Sequence, residues 1–269
     1  MVTGGGILKA TNLTVNTSGT SSAAIRSDKG GGNLSVDGGT YTTTGQGSPT
    51  IYSTANVKVE NANLTATASE GIVLEGKNSV TIDNCNLTDS NTKLNGKSTT
   101  YKNIFIYQSM SGDSDVGNSE FSANNSTITT NNGDSFYVTN QKATINLKNN
   151  KIINNDKNGN FLRIQKDSWG NEGSNGGDVT LVMENQEVTG NIVVDSISTL
   201  DMTLKENSYY EGVINEENSA KEITLKLDAS SKIKLTGDSY VTNLEDSDNT
   251  YSNIDFNGYK LYVNGIAIN

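Results

Sequence analysis

One short pattern returns along most of the chain and limits what it can fold into. It reads apolar, any, apolar, any, Asn or Gly, any, any, apolar. Leu8, Ala10, Asn12 and Val15 form the first copy; Val57, Val59, Asn61 and Leu64 form another, and Val80, Ile82, Asn84 and Leu87 the next. Gly38, Asn125, Asn149 and Asn185 hold the turn position in further copies, and Glu206 holds it in a weaker eighth. Successive copies start 26, 23, 23, 41, 24, 36 and 21 residues apart. Alternation at period two is the mark of a strand with one side inward. A residue that tolerates the left-handed region then turns the chain, which suits Gly and, at modest cost, Asn. Each unit holds a second apolar run, such as Gly71-Ile72-Val73, Ile104-Phe105-Ile106 or Phe161-Leu162-Arg163. Three short strands per ~23 residues predict an all-β solenoid, a single-stranded right-handed parallel β-helix of about 8–10 coils, each stacked on the last.

Composition supports a thin architecture. The chain holds 38 Asn, 31 Thr and 27 Gly, and only 33% of its 269 residues are apolar, too few for a thick spherical core. We expect one domain over 1–269, with regular coils over 7–215 and the last coils and a C-terminal cap over 216–269. The two long spacings predict insertions near 90–118 and 155–178. Asn61, Asn84, Asn125 and Asn149 are expected at equivalent corners, their amides hydrogen-bonded up the stack as a structural ladder.

Several chemistries drop out. With no His there is no imidazole base, no Ser-His-Asp triad and no His-based zinc site. A single Cys, Cys85, excludes an intrachain disulfide framework and reads as a packing residue. A net charge of −10 with only Arg26 and Arg163 as arginines argues against nucleic acid as a partner. No apolar run is long enough for a membrane span. The N-terminus lacks the basic and apolar regions of a signal peptide, so the reading favoured is a fragment of a longer secreted chain.

Val57-Lys58-Val59-Glu60-Asn61 and Val80-Thr81-Ile82-Asp83-Asn84 resemble coils of the pectate-lyase-like right-handed β-helix superfamily. Asn33-Leu34-Ser35-Val36-Asp37-Gly38-Gly39-Thr40-Tyr41 and Ser69-Glu70-Gly71-Ile72 further resemble secreted bacterial β-helix proteins that bind carbohydrate, acidic sugars especially. The resemblance covers residues 7–215. It implies a fold, an extracellular or bacterial cell-surface setting, and a polysaccharide or cell-surface glycan as partner. Where that family often has Asp-Gly-Ile, this chain has Glu70-Gly71-Ile72, so its calcium-binding carboxylates do not carry over as a set.

Ligand candidates follow from strand parity and from the insertions. If Ile72, Leu74, Phe136, Val138, Leu162 and Ile164 point inward, then Tyr52, Tyr107, Tyr137, Arg163 and Gln165 line the outer face. Lys166 and the lone Trp169 stand in the second insertion beside it. Aromatic faces stack on sugar rings and a guanidinium pairs with carboxylate or sulfate, so both insertions are expected to flank a groove floored by this row. Asp113 and Asp115 are the candidate Ca²⁺ ligands, and no other cofactor is expected. A lyase or hydrolase would need clustered acid and base groups, and only Arg163, Lys166 and Asp167 approach that. A non-catalytic carbohydrate-binding module is therefore the leading expectation. A surface adhesin or structural stalk is the alternative, and a polysaccharide lyase or glycoside hydrolase the third.

Overall fold

The computed structural model describes residues 1–269 and contains strands, turns and no α-helix. No helix is long and apolar enough to cross a membrane. Nearly all strand pairs are parallel, and most fall into three stacks. The first runs from Gly6–Thr17 through Gly32–Thr43, Asn56–Glu60, Ser79–Asp83, Asn118–Asn124, Gln141–Lys148, Gly177–Glu184, Thr199–Lys205 and Glu222–Leu227 to Asn243–Asp246. Its registers pair Leu34 with Val57 and Val57 with Val80, steps of 23 residues. The step widens to 41 where Val80 meets Phe121 and to 36 where Ile145 meets Leu181.

The second stack begins in the later halves of the first two strands and continues through Asn63–Ala66, Asn86–Asp89, Thr127–Thr130 and Lys151–Asn154. It then stops. Glu187–Thr189, Tyr209–Gly212, Lys232–Leu235 and Ile254–Asp255 form a separate four-stranded sheet. The third stack contains Ile25–Arg26, Ile51–Ser53, Ile72–Glu75, Lys102–Tyr107, Asp134–Thr139, Leu162–Ile164 and Ile192–Val194. The inward residues of all three stacks, including Ile72, Leu74, Phe136, Val138, Leu162 and Ile164, share one core of 49 buried residues. At the C-terminal end Leu261–Val263 pairs antiparallel with Ile266–Ala267.

Asn12, Asn61, Asn84, Asn125, Asn149 and Asn185 all turn the chain at positive φ, between 46° and 56°. The predicted amide ladder is not continuous. It runs as two short pieces, Asn84 Nδ2 to Asn61 Oδ1 (2.7 Å) and Asn149 Nδ2 to Asn125 Oδ1 (2.8 Å). Between them Asn125 turns to Asp83 instead, across the step of 41 residues. These corner residues are also exposed rather than buried. The buried ladder lies one residue later, where the chain has turned its next side chain inward. There the backbone NH of Cys85 donates to Ser126 Oγ, that of Ser126 to Asn150 Oδ1, and that of Asn150 to Gln186 Oε1. Gln186 and Ser208 continue it to Ser208 Oγ and Ser231 Oγ. Cys85 is a free, buried thiol within this row, and burial raises its pKa.

Candidate functional site

The sequence-predicted ligand residues gather on the outer side of the third stack, but under cover. Register places Tyr52, Val73, Phe105, Tyr137 and Arg163 in one outward row. The insertions fold down over it. The first is two pieces that bracket the Lys102–Tyr107 strand, and the second begins after Ile164. Thr99 in one donates to both carboxylate oxygens of Asp167 in the other (3.1 and 3.2 Å), and Tyr137 OH donates to Asp167 Oδ2 at 2.9 Å. Trp169 packs its ring 5.2 Å from both Phe105 and Tyr107, which stack on each other at 4.5 Å. Tyr137 is fully buried, and Phe105 and Tyr107 are nearly so. Tyr52 and Trp169 are half-buried against them.

The expected open groove is therefore not formed by Tyr52, Tyr107, Tyr137 and Trp169. An aromatic row of this size costs more exposed to water than packed, and the polar insertions supply hydrogen bonds for its hydroxyls as they close. Tyr52 OH and Tyr107 OH donate to Glu75 Oε2 at 2.6 and 3.1 Å, and Ser109 Oγ donates to Glu75 Oε1. Burial, then the neighbouring carboxylate charge, raises the pKa of the Tyr52 and Tyr137 phenols; for Tyr107, burial again leads. Arg163 is not free for a ligand: its Nε donates to Asp134 Oδ2 at 2.6 Å on the adjacent strand, and its Nη1 to Gln165 Oε1. Gln165 Nε2 donates in turn to Tyr137 OH. Lys166 alone among these residues leaves its side chain in solvent.

Asp113 and Asp115 line a cleft of about 310 Å³ together with Lys29 and Lys77. Two ammonium groups beside two carboxylates weaken the pull on a cation there. No group of three or more His, Cys, Asp or Glu is arranged to hold a metal.

The open site lies elsewhere, at the break in the second stack. The buried row of Ala62, Cys85, Ser126, Asn150, Gln186, Ser208 and Ser231 is filled by small side chains except at Asn150 and Gln186, which meet at the break. Gln186 Oε1 accepts from Asn150 N and Nδ2, and its Nε2 donates to Asn150 O (2.9 Å) and Glu187 O (2.7 Å). A side-chain amide thus takes the place of a strand ladder and holds the two strands apart. The result is a cleft of about 560 Å³ whose lining includes Lys151, Asn185, Glu187, Asn207, Tyr209 and Glu211. Tyr209 is half-exposed beside Glu187, its register partner, and its hydroxyl donates to Glu211 Oε2 at 3.1 Å. Lys234, 3.0 Å from Glu211, holds that carboxylate ionised and lowers its pKa. Neither Tyr209 nor the break appears among the sequence-predicted site residues. The available signal was the 36-residue step combined with a long Gln in a position otherwise small.

No family model, curated protein or solved structure matches this chain.

Proposed function

We propose that this protein is a right-handed, single-stranded parallel β-helix of the pectate-lyase-like kind, with coils of about 23 residues. In this reading it acts outside the cell or on a bacterial surface as a non-catalytic module that binds polysaccharide. The observation that carries the reading is the cleft at the break: a concave, polar surface with one half-exposed tyrosine among amide, ammonium and carboxylate groups. That combination fits a sugar ring, which presents one apolar face to an aromatic and hydroxyls to polar neighbours around it. The second reading, an adhesin or stalk, draws on the sealed third stack, whose residues serve rigidity rather than recognition.

The test is binding to a panel of soluble and insoluble polysaccharides by calorimetry and pull-down, with wild type, Tyr209→Ala and Trp169→Ala compared. Binding that Tyr209→Ala weakens and a folded Trp169→Ala retains supports the module reading. No binding to any polysaccharide overturns it.

A further inference from the structure

Beneath the insertions lies a group of ionisable side chains that the cleft does not use. Lys102 is fully buried, and Glu70 and Asp134 nearly so. Lys102 and Asp134 are register partners, and Glu70 precedes Ile72 as Lys102 precedes Ile104, its partner. Lys102 Nζ sits 4.3 Å above the Phe105 ring and 5.1 Å from that of Tyr137. It donates to Ser98 Oγ and to the Thr100 carbonyl (2.9 Å), so the first insertion seals it from water. Burial lowers its pKa, against the opposing charges of Glu70, Asp167 and Asp134.

The two carboxylates beside it differ. Asp134 is fully engaged: Arg163 Nε donates to Oδ2, and the backbone and side-chain nitrogens of Asn160 donate to Oδ1 at 2.7 and 2.8 Å. Those bonds occupy both of its oxygens and fix its orientation away from the amine. Glu70 has only the Ser69 hydroxyl on Oε2, at 2.6 Å, while Oε1 faces Lys102 Nζ across 3.8 Å. That separation is long for a buried ion pair, so the ammonium is near the carboxyl without being locked onto it by a short hydrogen bond.

We propose that Lys102 and Glu70 condense to an internal amide cross-link between their side chains. In a water-free site an ion pair and its proton-transferred neutral form lie closer in energy than in solution, because desolvation penalises both charges. One proton moves from the Lys102 ammonium to Glu70 Oε1. The neutral amine then adds to Glu70 Cδ, and the developing negative charge falls on Oε2, where the Ser69 hydroxyl already donates. The bond from Cδ to Oε1 breaks, Oε1 leaves as water with a second proton from nitrogen, and an N–C bond remains. Nothing is oxidised or reduced, and no further reactant is needed. The product ties the chain across 32 residues, from 70 to 102, at the base of the sealed stack. By closing a loop that the unfolded chain would otherwise explore, it stabilises the fold much as a disulfide does in a chain with one Cys.

The experiment is intact-mass spectrometry of the full chain, purified folded and incubated, followed by peptide mapping. The expected result is a mass lower by one water, a branched peptide joining Lys102 to Glu70, and full mass for Lys102→Arg. Cooperative melting by circular dichroism establishes that the wild type under measurement is folded. Full mass in that folded protein overturns the proposal, and so does a branch from Lys102 to any other residue.

Discussion

Two outward surfaces of this molecule carry tyrosines, and they have opposite fates. On the third stack Tyr52, Tyr107 and Tyr137 are covered by both insertions, and every hydroxyl ends on a carboxylate of the chain itself. On the separate four-stranded sheet Tyr209 stands at the rim of a break that no insertion covers. Aromatic residues on a β surface therefore do not mark a binding face by their presence. What decides is whether the chain has its own polar segments to close over them. The third stack has two; the break has only Gln186, which props it open from beneath.

The sharpest way to break this comparison is to remove one ring from each surface. Tyr137→Ala deletes a fully buried ring and removes one of the donors to Asp167 Oδ2, so it should cost about 3 kcal/mol or more of stability in chemical denaturation. If Tyr137→Ala melts like wild type, the third stack is not sealed in solution. Tyr209→Ala should change stability by less than about 1 kcal/mol, yet weaken polysaccharide binding about tenfold, the measure of one lost aromatic contact.

Asp89 tests the buried base of the first insertion by pH. It is fully buried at the end of the Asn86–Asp89 strand, just before the first insertion, and Oδ2 accepts from Asn91 N while Oδ1 has no partner. Burial pushes its carboxyl up to about 9. An unfolded aspartate releases its proton near its ordinary value of 3.8. Between those values the folded chain holds a proton that the unfolded chain does not, so stability falls as pH rises across that window. Asp89→Asn keeps the acceptor for Asn91 without the charge. It should flatten the fall of Tm from pH 4 to pH 9; an unchanged slope would show that Asp89 does not carry it.

The parts of this fold that could be read from sequence are those set within a few residues. Val57, Val59, Asn61 and Leu64 carry strand, corner and next strand in eight positions, and each step is local. The closing of the insertions is not local. It depends on Thr99 meeting Asp167, 68 positions apart, and no property of either loop alone announces that partner. Parity correctly puts Tyr137 and Arg163 on the outer face, but parity says only which way a side chain leaves the strand. The break is an intermediate case. The 36-residue step was visible, but reading it as a cleft also needed the inward position one residue after each corner, where Gln186 replaces a small residue.

The smallest effects lie at the corners, which separate a backbone role from a surface role. Asn84 turns the chain at φ 52° within the continuous part of the stacks, while Asn185 does so at 46° on the rim of the break. An L residue with a Cβ and no local polar group pays about 1 kcal/mol in that region, whereas Gly pays little. Asn84→Ala should therefore lower stability by about 1 kcal/mol, and Asn84→Gly by less, its only loss being the exposed amide bond to Asn61. Asn185→Gly should likewise leave stability nearly unchanged, but it removes an amide that faces the cleft, so binding should fall by a small factor of about two to five. Calorimetry on the two glycine variants reads the difference directly. Equal, unaltered affinity in both would leave Asn185 as a corner like any other and shrink the recognition surface to Tyr209 and its charged neighbours.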